Sequence, residues 1–200
     1  MIEIHDIYSV IEAFSEDFKN RDFCVAGGAA RDWDLCQPIS DIDLFVRVND
    51  LTDFLSLISE IFKVKEYRLL GMGDEDYNVD ISKHLVGVAE TEFKPGEKLQ
   101  IIGCLGDSGV ETFPLSVFNH FDFGLCEAGF TKLNEFICTD NYIEDKRNYE
   151  MTLLRWENPE SLKRSLQKHL PKLELKYPSY TFKSMVSSTN EKSKLNREAW

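Results

Sequence analysis

Residues 41–48 alternate without a break: Ile42, Leu44, Val46 and Val48 fall on one side, and Asp41, Asp43, Phe45 and Arg47 on the other. Side chains two apart on a strand share a face. The stretch therefore predicts a strand with one face in a core and the other open to carry chemistry. A strand of that kind needs partners and a layer to cover its apolar side. The run Phe23-Cys24-Val25-Ala26, stopped by Gly27-Gly28, reads as a buried strand, and residues 29–35 read as a helix opening at the glycines.

The rest of the chain supplies the other parts. Ile7, Val10, Ile11, Phe14 and Phe18 recur at helical spacing, with Asp6 as the expected N-cap. Residues 51–62 predict a second amphipathic helix started by Asn49 or Asp50. Strands are expected at 64–70, 85–89, 99–103 and 121–130, with 132–138 pairing to the last; a turn is expected at 71–76. Helices are expected at 114–120, 141–150 and 159–170, and a flexible tail at 187–200. This order predicts an α+β domain, helices packed on one mixed sheet, with a short C-terminal helical segment. The expected division is a head at 1–145, a basic helical extension at 146–186, and the tail.

Charge is also spread unevenly along the chain. The net charge is −12, yet residues 161–200 hold nine Lys/Arg against three Glu, which leaves −18 on residues 1–160. An acidic body disfavours sequence-blind binding to long nucleic acid, which needs clustered cations. Five widely spaced cysteines without a C-x-x-C, and four histidines without an H-x-x-x-H, predict reduced thiols and no zinc site. No apolar run is long enough for a bilayer and no leader pattern opens the chain, so the expectation is a cytoplasmic protein without membrane contact.

Chemistry concentrates in two short segments. Asp41 and Asp43 place two carboxylates on one strand face, where they repel unless a cation lies between them; magnesium takes such oxygen ligands while also binding substrate phosphates. Gly27-Gly28, between a strand and a helix, lets backbone approach an anion closely, with free N–H groups at the helix start. Neither a Walker A loop nor a dinucleotide fingerprint is present.

Taken together, Val25-Ala26-Gly27-Gly28-Ala29-Ala30-Arg31-Asp32 followed by Ser40-Asp41-Ile42-Asp43-Leu44 resembles the head-domain signature of the DNA polymerase beta-like nucleotidyltransferases, nearest to the tRNA nucleotidyltransferase and poly(A) polymerase branch. The motif spans about residues 23–48, with Ala29 where many relatives carry Ser. The resemblance implies a polymerase beta-like fold and transfer of a nucleoside monophosphate from NTP to an acceptor hydroxyl. It implies two Mg2+ or Mn2+ ions on Asp41 and Asp43, and nucleotide contacts from Gly27, Gly28, Arg31 and Asp32.

It also implies a third carboxylate, for which Asp122 is the choice and Asp80 and Glu90 the rivals. In Phe121-Asp122-Phe123-Gly124-Leu125-Cys126 an acid interrupts an apolar stretch, which costs free energy unless it is compensated. Residues 158–168 resemble the basic helix that follows the head in these enzymes, so Arg155, Lys163, Arg164 and Lys168 are expected at the triphosphate. The segment after the head is too short for the long tRNA-gripping region of those relatives, and the acceptor stays open among an RNA end, a protein and a small molecule. The alternative reading is a non-catalytic nucleotide- or partner-binding module on the same fold, antitoxin-like.

Overall fold

The computed structural model describes residues 2–62, 67–70, 84–105, 112–156 and 158–184. The turn expected at 71–76, Asp80 and the tail at 187–200 lie outside the described residues. In chain order the elements are α1 (Ile4–Ser15), β1 (Phe23–Ala26), α2 (Gly28–Asp34), β2 (Asp41–Arg47), α3 (Leu51–Ile61), β3 (Arg68–Leu70), β4 (Leu85–Lys94), β5 (Glu97–Cys104) and α4 (Phe113–Phe118). After a 3-10 turn at Gly124–Cys126 come β6 (Ala128–Thr131), β7 (Phe136–Cys138), α5 (Asp140–Asn148) and β8 (Glu150–Leu153). The chain continues through α6 (Pro159–Arg164), a π-helical turn (Ser165–His169), α7 (Leu170–Lys176) and β9 (Thr181–Ser184).

Seven strands form one sheet in the order β3-β4-β5-β2-β1-β6-β7. Only β2 and β5 run parallel, with Asp41 opposite Lys98 and Asp43 opposite Gln100; the other neighbours are antiparallel. The alternation of β2 does what the sequence demands. Ile42, Leu44 and Val46 are fully buried and share a core with Ile7, Val10 and Ile11 of α1, Ala29 and Ala30 of α2, and Phe54 and Ile58 of α3. At about 25 cal/mol per Å2 of apolar surface, each of these side chains other than the two alanines contributes on the order of 1.5–3 kcal/mol. The opposite face is covered only in part. Phe113, Val117 and Phe118 of α4 pack there with Cys24, Ala26 and the ring of Phe45, and Asp41 and Asp43 keep partial exposure.

The helix ends differ in detail from the sequence reading. Glu3 is the N-cap of α1, and Asp6 is the third helical residue, where its carboxylate accepts from the Glu3 N–H at 3.0 Å in a capping box. Asp50 caps α3 as expected, accepting from Asp53 N at 2.8 Å. The strand expected at 121–130 is the larger departure. Residues 121–126 pass through the 3-10 turn, touching a strand only at the isolated bridge Phe123–Leu153, and regular pairing starts at Ala128. The predicted helix at 159–170 extends to Lys176 and widens at the π turn. Pro171 lacks the N–H that would bond Gln167, and the turn before it opens.

The C-terminal segment is joined to the body by pairing that the sequence did not announce. β9 runs parallel to β8, with Met151 opposite Phe182. Leu170, Leu173 and Tyr177 enter the main core. Among the described residues, no helix is long and apolar enough to cross a membrane.

Gly129 of β6 lies close against β1 and α4. A Cβ there would lie 2.7 Å from the Val25 carbonyl oxygen and 3.0 Å from the Phe118 ring. Gly129→Ala should therefore cost about 1–3 kcal/mol of folding stability, read as a lower urea midpoint with an unchanged slope.

Candidate active site

The site begins at the end of β1. Gly27 has φ 75° and ψ −124°, which favours glycine, and its N–H donates to the Ala128 carbonyl at 2.9 Å. A Cβ at Gly27 would sit 3.4 Å from the Phe121 ring, and that ring makes an edge contact with Phe45 at 5.8 Å between centroids. Phe45 is two residues beyond Asp43 on the same face of β2, so the glycine turn, Phe121 and the acid pair form a continuous surface.

Asp41 and Asp43 project together from the uncovered end of β2. The Oδ1 atom of Asp43 is buried and has no hydrogen-bond partner among the described residues. Burial pushes the Asp43 carboxyl up to about 8, the charge of Asp41 adds to the rise, and Arg31 and Lys98 oppose it. An orphaned buried oxygen beside a second carboxylate fits a divalent cation. Among the described residues no group of three His, Cys, Asp or Glu side chains is placed to hold a metal.

Asp122 is not brought to that pair. Residue 122 precedes the 3-10 turn instead of lying in a central strand, and His169 Nδ1 lies 2.6 Å from Asp122 Oδ2. Burial pushes the Asp122 carboxyl up, but the His169 hydrogen bond and charge, with Ser165, outweigh burial and hold it below the usual value. These groups line a cavity of about 380 Å3 that also takes in His120, Trp156 and Arg164. Arg164 Nε is buried without a hydrogen-bond partner among the described residues.

The other expected ligands divide. Arg155 lines the cavity but donates to the Phe118 and Phe121 carbonyls at 2.9 and 3.0 Å and pairs with Glu127 at 2.6 Å, which fixes the Phe118–Phe121 segment. Lys163 and Lys168 do not line it; Lys163 is exposed. Arg31 and Asp32 are buried behind the glycine turn. Arg31 Nε donates to Asp32 at 2.8 Å and to the Tyr177 hydroxyl at 3.0 Å, while Lys176 and Tyr177 both donate to Asp32. Their polar atoms close a latch onto the end of α7, and Arg31 acts on the site through its charge on Asp43.

Three features escaped the sequence reading: His169 against Asp122, Trp156 in the cavity wall, and the row Asp43–Gln100–Glu90 across β2, β5 and β4. The row depends on strand register, which no local spacing encodes.

Residues 2–148 match a protein family described as Gad2, Gabija anti-defense 2 family protein. The chain belongs to the Gad2 family. No curated protein matches this Gad2-family chain. Among solved structures, it is similar to a tRNA-processing enzyme in an apo form, with a TM-score of 0.60 and 13% identity over 91% of this chain and 45% of that one. It is similar also to an apo CCA-adding enzyme, TM-score 0.58, 17% identity, 92% and 40% covered. The Thermotoga maritima CCA-adding enzyme complexed with tRNA follows at TM-score 0.55, 16% identity, 92% and 40% covered. The chain spans less than half the length of these structures. The likeness shows a polymerase beta-like nucleotidyltransferase fold.

The raised Asp43 carboxyl predicts a pH signature. The folded chain holds that proton more tightly than the unfolded chain, so stability falls as pH rises from about 4 to about 8. In EDTA, Asp43→Asn should melt above the parent protein at pH 8, with the gap closing toward pH 4. Magnesium at pH 8 should raise the melting temperature of the parent more than that of the variant.

Proposed function

We propose that this chain is a nucleotidyltransferase that moves a nucleoside monophosphate from NTP to an acceptor hydroxyl and releases pyrophosphate. The observation that carries the reading is the Asp41–Asp43 pair, with one buried, unpartnered oxygen, on the same surface as the Gly27 turn. The fold shared with the solved tRNA-processing and CCA-adding enzymes supports it.

Two Mg2+ or Mn2+ ions held by Asp41 and Asp43 would supply positive charge to the attacking and leaving oxygens. The chain's own residues do the positioning, the main protein contribution to phosphoryl chemistry. Gly27 and Gly28 lend bare backbone to the triphosphate. Arg164 offers a guanidinium whose Nε has no hydrogen-bond partner among the described residues, and Trp156 offers an aromatic wall to the adjoining cavity. Asp122, oriented by His169, presents a polar edge to the same nucleotide; it takes this place instead of the third metal ligand. Arg31 and Asp32 position the glycine turn through the latch to Tyr177. The family description supplies a context: the acceptor we propose belongs to a Gabija defence system, whose modification would disarm it.

The absence of a third acid beside Asp41 and Asp43 among the described residues is the observation that favours the rival reading, nucleotide binding without turnover. Labelled transfer separates the two. With α-32P-NTP, magnesium and an extract of Gabija-carrying cells, the parent chain should label an acceptor, and Asp41→Ala or Asp43→Ala should lower the rate at least about a hundredfold. Equal labelling by both variants sinks the transferase assignment. Tight NTP binding with no labelled acceptor from the parent chain establishes the rival.

A further inference from the structure

Three neighbouring strands meet at the end of the sheet away from Asp41. β1 runs antiparallel to both β2 and β6, so the start of β1, the end of β2 and the end of β6 lie side by side. An opening of about 440 Å3 sits there, lined by Lys19, Arg21, Asp22, Arg47 and Lys132 with two asparagines. Arg21 and Asp22 lead into β1, Arg47 closes β2, and Lys132 follows β6. Gly27 and Asp41 mark the other ends of β1 and β2. Asp41 and Arg47 stand six positions apart on β2, about 20 Å of extended chain. The opening is therefore separate from the cavity beside Gly27.

Residues 1–160 carry −18, yet here four cationic side chains from separate segments gather around one carboxylate, Asp22. That acid answers them loosely. Its oxygens lie 3.4 Å from Arg47 Nη1 and 3.8 Å from Lys132 Nζ, beyond the usual hydrogen-bond length. Lys19 is exposed, with no acid partner among the described residues. Arg21 is held by both oxygens of Asp53, at 2.6 and 2.9 Å, and its Nη1 reaches the Arg47 carbonyl at 3.3 Å. Arg47 lies over the Phe113 ring at 5.1 Å, and its Nε is buried without a hydrogen-bond partner among the described residues. A buried N–H left unanswered is costly, and a guanidinium fixed against a ring is already oriented for an oxyanion. Arg21 is matched by Asp53, while Lys19, Arg47 and Lys132 share Asp22, a surplus of two positive charges.

We propose that this opening is a second binding site, which takes the phosphate dianion of a small phosphomonoester or the free ion. A phosphate group of this kind carries about −1.5 to −2 at neutral pH and presents three acceptor oxygens, which answers the surplus charge and the orphaned guanidinium together. The volume lies within the range of small-molecule sites. A long nucleic acid suits it less, because the acidic body around the opening repels the remaining phosphates. At about 20 Å from Asp41, the bound phosphate stands too far away to be the one that reacts.

The test uses the full chain in EDTA, so that no cation draws a phosphate to the acid pair. Calorimetric titration compares AMP, adenosine and inorganic phosphate at one ionic strength. AMP should bind and adenosine should not. Lys19→Gln combined with Lys132→Gln, both at exposed positions, should raise the Kd for AMP by about tenfold, roughly 1.4 kcal/mol, with the melting curve as the check on folding. Arg47→Gln should remove binding, and Arg164→Gln, in the other cavity, should leave the Kd as it is. Inorganic phosphate that binds as tightly as AMP, and is lost in the same lysine variant, keeps the site and assigns it to the free ion. AMP binding retained by the folded lysine variant, or removed by Arg164→Gln, overturns the second site and leaves the transferase reading standing. Adenosine binding equal to AMP, or no AMP binding by the parent chain, overturns it as well.

Discussion

Two carboxylates on one strand face, one of them with an oxygen buried and unanswered, set the terms for the rest of this molecule. The strand that carries them must hold Ile42, Leu44 and Val46 in the core, so a register slip by one residue would put both acids inside and the aliphatics outside. That penalty pins β2 between β1 and β5. It also places Lys98 and Gln100 beside the acids, because β5 runs parallel and in step. Cover on the acid face stops at Phe45, where α4 ends its contact, and the polar end stays open to a ligand. The fold spends its apolar contacts on one side of the sheet and half of the other, and the charge sits where contacts run out.

The sequence disclosed this half of the molecule well. Alternation in 41–48 and helical spacing in 51–62 are local signals, and each is reinforced by burial of the same residues that create the pattern. The glycine turn was legible for the same reason, since Gly27 occupies a backbone conformation that other residues rarely adopt. Residues 121–126 were less legible. Phe121, Phe123 and Leu125 alternate as a strand does, yet Gly124 closes a 3-10 turn over Asn141 and Asp145 of α5, where a Cβ would lie 2.7 Å from Asp145 Oδ2. Tertiary contact overrode a local pattern, and Asp122 turned toward His169 as a result. Arg31 and Asp32 were readable as important but not as latch residues, because their partner Tyr177 is 146 positions beyond Arg31. The parallel pairing of β8 with β9 is equally non-local.

The surroundings of the acid pair are built by different kinds of contact. The cavity beside the glycine turn depends on the C-terminal helices, which bring His169 and Ser165 to Asp122 and Arg164 to the same cavity. The row Asp43–Gln100–Glu90 depends on strand register alone.

The latch between α2 and the end of α7 has a consequence for biosynthesis. Arg31 and Asp32 are a buried ion pair, expensive to leave half covered, and their cover is the phenol of Tyr177 with the ammonium of Lys176. While the chain is still being translated, the first hundred and more residues can collapse around β2. The glycine turn gains its final backing only when residue 177 has left the ribosome. The backing of the turn arrives late, with α7 acting as the keystone of a segment whose own sequence was finished long before.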